Sequence, residues 1–210
     1  MIRTLLLAAL LALPLPASAQ EAQPAPLAAE APKPETVKVR LETAEGPIVL
    51  ELEKERAPIT TANFLRYVDQ KRFDGTTFYR ALTFPGRPDL GLIQGGAKSD
   101  AKRMLPPIAH EPTTKTGLSH TDGAISMARG APGSAQADFF IILGGLTSLD
   151  ANPAATGDNS GFAVFGKVVE GMDVVKKILA APVSATEGVG AMKGQMIEKP
   201  VPIKQARRAD

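Results

Sequence analysis

The stretch FYRALTFPGRPDLGLIQGG, residues 78–96, places an arginine behind two aromatics and closes on a glutamine and a glycine pair. Arg80 and Gln94 are the side chains here whose types suit chemistry. An arginine among apolar neighbours is either paired with a carboxylate or held for a ligand, because an unpaired buried charge is costly. Its guanidinium stays charged and offers a rigid fork of donors. From the residues alone, a structural ion pair and a ligand contact both stand.

Other familiar chemistries lack their parts. There is no cysteine, so no thiol nucleophile, disulfide or cysteine-based metal site. His110 and His120 fall in predicted loops without metal-ligand spacing and read as surface or loop-bracing residues. Ser126 lies in an apolar run with no G-x-S-x-G turn around it, which argues against a serine hydrolase. Gly188-Val189-Gly190 and Gly194 have no strand before them and no helix after, so they read as a plain turn rather than a phosphate cradle. Met192 and Met196 carry no cofactor signal. Asp150 and Asp158 show no paired pattern for glycoside hydrolysis. No metal or cofactor is expected, and a formal charge of +2 gives no basic surface for nucleic acid.

The elements that must position Arg80 and Gln94 read as short strands. Val37, Val39 and Leu41 alternate with Lys38, Arg40 and Glu42, Ile48, Leu50 and Leu52 recur at the same period of two, and Thr43–Gly46 between them reads as a hairpin turn. Pro58 opens a helix with Ile59, Ala62, Leu65 and Val68 predicted to share its inner face. Thr76–Leu82 and Gly91–Gln94 read as strands, followed by a proline-punctuated loop over residues 97–122. Ala124–Ala128 and Phe139–Leu143 are buried strands, and Phe162–Val168 is another after a long loop. Asp173–Ala180 reads as a second helix. Ile197–Ile203 alternates, and its prolines suit an edge or a strand end. Strands far outnumber crossover helices. The prediction is a mainly β fold: a closed eight-stranded antiparallel barrel capped by two α-helices. Such a barrel is filled by its own side chains, so a substrate must bind on its outer wall.

The N-terminus reads as an export signal over residues 1–19: Arg3, the apolar run Leu5–Leu13, then Ala17-Ser18-Ala19 for cleavage. The run is too short for a membrane span, which needs ~20 apolar residues, so no stable membrane insertion is expected after cleavage. Residues 20–35, rich in alanine and proline, read as a linker, leaving residues 36–210 as the globular domain. A periplasmic, monomeric product is expected.

The segments TTFYRAL, LIQGG, GAISMARG, ADFFIIL and FAVFGKVVEGMDVVKKI, in this order, resemble the cyclophilin family of peptidyl-prolyl cis/trans isomerases, and the last particularly resembles exported bacterial members. The resemblance covers roughly residues 36–205 and implies an enzyme that turns X–Pro bonds in proline-containing segments of unfolded or exported polypeptides. It implies that Arg80 is the catalytic arginine and Gln94 the substrate-orienting glutamine. Leu92, Phe140 and Leu149 would wall the proline pocket. Met127, Ala128 and Arg129 would receive the substrate backbone and the residue before proline. Phe162 stands where the family usually has histidine or tyrosine. A binding module or chaperone that grips proline segments without fast turnover is the alternative.

Three departures bear on the site. Gly91 stands where the family usually has phenylalanine, and FPGRPD lengthens the segment between Arg80 and Gln94. Phe84, inside that insertion, is expected to fold back and replace the missing ring. Ser148 replaces a frequent aromatic that matters for cyclosporin binding, so weak cyclosporin affinity is expected. Phe162 makes the pocket drier and less hydrogen-bonded.

Overall fold

In a computed structural model, the structure describes residues 33–209. The predicted signal over 1–19 and nearly all of the predicted linker lie outside the described residues. Residues 33–35 are the exception: the Glu35 carbonyl accepts from the backbone of Lys54, so the globular fold takes hold at the residue before the first strand.

The strands are β1 (Thr36–Thr43), β2 (Pro47–Glu53), β3 (Thr76–Phe84), β4 (Arg87–Gly96), β5 (Ala124–Met127), β6 (Phe139–Leu143), β7 (Ala163–Glu170), β8 (Val183–Ser184) and β9 (Met196–Ala209). The hydrogen-bonded order runs β1-β2-β7-β5-β6-β4-β3-β9, and β9 pairs again with β1. This ring of eight antiparallel strands is the predicted closed barrel. The two-residue β8 hangs from β9 outside it.

Two helices cap the barrel, α1 (Pro58–Asp69) and α3 (Met172–Leu179); a third, α2 (Thr113–Thr116), is a single turn inside the 97–122 loop. The two-helix expectation therefore missed α2. It is bounded by Pro112 and by Gly117 in the left-handed region (φ 68°), and is too short to carry a helical period.

The inner face of α1 also differs from prediction. Ile59 and Ala62 face solvent, while Phe64, Leu65, Tyr67 and Val68 are buried. The bulk of Phe64 decides this. Its ring packs 4.8 Å from Phe73, 5.3 Å from Phe139 and 5.2 Å from Phe165, and aromatic burial outweighs that of a smaller side chain. Nothing in the helix caps its first turn; the wholly buried Glu111 does so from across the fold, accepting from the amides of Ile59 (3.2 Å) and Thr60 (2.7 Å).

β9 is not an edge strand, contrary to the reading of its prolines. It pairs with β3 over residues 196–203 and with β1 over residues 203–209. Pro200 is tolerated because the β3–β9 register breaks between Met196 and Val201, where no ladder bond is needed from it.

Strand alternation divides the apolar side chains into two clusters. Ile93, Ile125, Phe139, Ile141 and Phe165 fill the barrel. Leu92, Ala124, Phe140, Ile142 and Val164 point outward and form a second cluster on the wall, joined by Leu82, Leu149 and Phe162. That is why β6 is buried along its whole length: one face lines the interior, the other floors an external depression.

Candidate active site

The depression measures about 630 Å³ and lies over β3, β4 and β6. Arg80 and Gln94, distant along the chain, are direct cross-strand partners in the β3–β4 pair. The inserted residues merely lengthen this hairpin and turn at Pro85-Gly86, with Phe84 opposite Arg87. The glycine pair closing the segment allows close packing: a Cβ on Gly96 would stand 2.5 Å from the Asp138 carboxylate and 2.7 Å from the Ala137 carbonyl.

Arg80 is half-buried and enters no ion pair among the described residues. Its Nη1 donates to Gln94 Oε1 at 2.7 Å, and its Nε donates to Gln195 Oε1 at 2.8 Å. Nothing among the described residues accepts from Nη2. Burial pulls its pKa down, but arginine remains a cation in proteins. Behind it, Gln94 Nε2 donates to the Tyr79 hydroxyl at 2.7 Å. Burial, then the nearby Asp138 carboxylate, raises the Tyr79 pKa and keeps the phenol protonated. Asp138 is itself pushed up, mainly by burial.

Phe140 is the floor, only 4% exposed. The Phe162 ring meets it edge-on at 5.4 Å and 86°. Leu92, Leu149 and Ala128 complete the apolar surface. Arg129 lies over the Phe162 ring, its guanidinium carbon 4.9 Å from the centroid. It also donates to Asp158 at 2.6 and 3.0 Å and to the Gly161 carbonyl at 2.9 Å. It therefore fastens the 144–161 loop to the pocket wall.

Two predicted site residues stand apart. Met127 points into the barrel core and is 1% exposed, so only its backbone belongs to the predicted strip. Phe84 sits at the hairpin end, 38% exposed, and does not line the depression. The fold-back expectation fails because Phe84 is held in the β3–β4 ladder. Gly91 explains why no ring is present. It pairs with Thr83 and Leu143, and a Cβ there would lie 2.1 Å from the Leu82 carbonyl oxygen. The cross-strand pair Leu82–Leu92 forms that wall instead. Ser148 is exposed and borders a smaller recess of about 230 Å³.

Sequence reasoning missed Tyr79, Leu82, Met192, Gln195 and Met196. Met192 and Met196 line the depression, and Gln195 grips Arg80. Of the two readings of His120, surface or loop-bracing, the second holds: the residue is wholly buried and ties its loop to Asp150. Its ring stacks beneath Phe140 at 5.9 Å and 9°. Its Nδ1 lies 2.5 Å from Asp150 Oδ1 and its Nε2 3.0 Å from Ser126 Oγ. The order Ser–His–Asp imitates a hydrolase triad. Ser126 is 0% exposed, beside Phe140 in the neighbouring strand, so no substrate reaches its hydroxyl. Burial lowers the His120 pKa despite the Asp150 carboxylate, and the ring is neutral near pH 7.

A family profile, Cyclophilin type peptidyl-prolyl cis-trans isomerase/CLD, matches residues 38–208. The chain belongs to the cyclophilin family. This cyclophilin is a peptidyl-prolyl cis-trans isomerase, as are its curated relatives. It is 36% identical to peptidyl-prolyl cis-trans isomerase A of Dickeya dadantii over 172 residues, covering 80% of this chain and 83% of the relative. It is 35% identical to a peptidyl-prolyl cis-trans isomerase of Acinetobacter baylyi over 147 residues, covering 70% and 73%. The fold is also that of a Cryptosporidium parvum cyclophilin crystal structure, with TM-score 0.64, 20% identity, and coverage of 84% of this cyclophilin and 99% of the other chain.

Proposed function

We propose that this isomerase acts on X–Pro bonds of exported polypeptides in the periplasm, as a monomer, with Arg80 as the catalytic residue. The observation that carries the assignment of Arg80 is its guanidinium, held by two neutral glutamine oxygens and paired with no described carboxylate, beside an apolar depression floored by Phe140. The export signal read in residues 1–19 supports the location.

Rotation about a peptide bond faces a barrier of ~18–20 kcal/mol because the C–N bond has partial double-bond character. Twisting removes that resonance, and the proline nitrogen gains a lone pair. Arg80 donates to this lone pair more strongly than to the planar amide, which is selective stabilisation of the transition state. No bond to carbon breaks, so no nucleophile is used. The proline ring sits on Phe140 between Leu92 and Leu149. Gln94 holds the carbonyl side. The dry floor disfavours the planar amide, which is the more polar state. Phe162, where a polar ring is usual in the family, adds apolar wall.

The test is two-dimensional NMR exchange on an Ala-Pro peptide with wild type and Arg80→Ala. Exchange that accelerates with wild type and collapses in the variant supports the assignment. Equal acceleration by both removes Arg80 from the mechanism. Peptide binding without acceleration by wild type would leave a proline grip in place of an enzyme site.

A further inference from the structure

Gln195 lies at the far end of the chain from Arg80, in the half-buried residue just before β9. Its Oε1 accepts from Arg80 Nε at 2.8 Å, while its Nε2 donates to the Ala191 carbonyl at 2.7 Å. Its own backbone carbonyl accepts from the Ala81 amide at 3.0 Å, which fixes the segment to β3 beside Arg80. Both ends of the side-chain amide are therefore used, and the oxygen has one orientation available. The same short segment sends Met192 and Met196 into the depression.

We infer that Gln195 is a positioning residue for the isomerisation: with Gln94 it clamps the Arg80 guanidinium from two sides and fixes the plane in which the remaining N–H donors meet the twisted prolyl nitrogen. The inference rests on the assignment of Arg80 as the catalytic residue.

The chemistry of the clamp is specific. Guanidinium has five N–H donors in one plane. Bonds at Nε and at Nη1 fix that plane at two points and leave Nη2 without a described acceptor. A carboxylate in either place would fix the plane equally well, but it would also oppose the positive charge that the reaction needs. Two glutamine oxygens hold without neutralising. Gln94 is tied onward to Tyr79, and Gln195 to the Gly190–Met192 turn. Arg80 is thus braced against both the barrel wall and the segment that forms one side of the depression. A lost brace lets the fork swing, and a donor displaced from the nitrogen stabilises the transition state less.

The experiment uses the full domain, with Gln195→Met, Gln195→Glu and Arg80→Ala. Methionine keeps the length of the side chain and removes the amide acceptor; glutamate keeps an oxygen facing Nε. Two quantities are read: turnover and affinity on an Ala-Pro peptide by NMR exchange, and the Arg80 Nε–H signal in a ¹⁵N-labelled sample. Wild type is expected to show a protected Nε–H resonance. Gln195→Met should lose that protection and turn over about tenfold more slowly, the worth of one hydrogen bond that matters at the transition state, with peptide affinity unchanged. Gln195→Glu should restore the protected signal but leave turnover below wild type, because its carboxylate fixes the plane while opposing the charge the reaction needs; wild-type turnover in Gln195→Glu would overturn the claim that the clamp must be neutral. Wild-type turnover by Gln195→Met while Arg80→Ala is inactive would overturn the role of Gln195 alone. Full activity of Arg80→Ala would instead remove the assignment beneath it. A loss of turnover in Gln195→Met matched by an equal loss of affinity, with Nε–H protection intact, would mark a wall residue and also overturn the inference.

Discussion

Arg80→Lys separates a charge from a positioned fork. Both side chains are cationic, but lysine has a single nitrogen where Arg80 places Nε against Gln195 and Nη1 against Gln94, at 2.8 and 2.7 Å, with Nη2 to spare. One ammonium cannot occupy both sites and also meet the prolyl nitrogen. If it settles between the glutamine oxygens, the transition-state bond is lost. A hydrogen bond from a charged donor contributes ~1.5–3 kcal/mol, and at ~1.4 kcal/mol per power of ten turnover falls about ten- to a hundredfold. The proline still rests on Phe140, Leu92 and Leu149, so affinity for the ground-state peptide changes little. Stability changes little too, because an ammonium settled between the glutamine oxygens still gives the buried Gln94 oxygen a donor. NMR exchange on an Ala-Pro peptide at several peptide concentrations yields rate and affinity together, and a thermal melt checks the fold. Wild-type turnover by Arg80→Lys would refute the positioned fork and leave charge alone as the operative property.

Three further outcomes are expected. Gly91→Phe, which restores the aromatic usual in the family, should lower the melting temperature and raise no activity, because the new Cβ would meet the Leu82 carbonyl at 2.1 Å and overpacking costs ~1–3 kcal/mol or more; a stable, faster variant would contradict the strand register described for β4. His120 should remain neutral at pH values where an unfolded chain, with its histidine near 6.5, takes up a proton. The unfolded state then binds more protons, so this group's contribution to stability falls as the pH drops below about 6.5; an imidazole NMR signal titrating at or above that value would show the sign to be wrong. Cyclosporin should bind weakly, since the exposed Ser148 supplies no ring beside Leu149, and nanomolar inhibition of the isomerisation would contradict this.

The barrel was legible because period-two alternation in β1 and β2 is a local property of the chain, and Val39, Leu41, Leu50 and Leu52 all point inward as read. Phe140 was legible by contrast with Phe139, since neighbours in a strand face opposite ways. What stayed hidden depends on register between distant segments. Nothing near Gln195 announces that β9 begins opposite Arg80, and nothing near Glu111 announces that it completes the first turn of α1. His120 looked like a loop residue because it is one; its burial comes from Phe140 lying over it. Phe84 and Gly91 were misjudged together. A ring in an insertion beside a missing ring suggests that Phe84 folds back over the pocket, whereas added residues with a Pro-Gly turn simply prolong the antiparallel ladder. The backbone approach that excludes a side chain at Gly91 has no signature in a single sequence.

The seam of the cylinder joins its first strand to its last: Lys38 lies opposite Ala209, and Leu41 opposite Ala206. A nascent copy of this domain therefore cannot shut while residues near 209 are still being made. Until then the edges of β1 and β3 stay unpaired, open to the stray strand pairing that leads to aggregation. The wall of this isomerase is therefore complete only once β9 has been made through its pairing with β1, and deleting residues 206–209 would unzip the side of the cylinder.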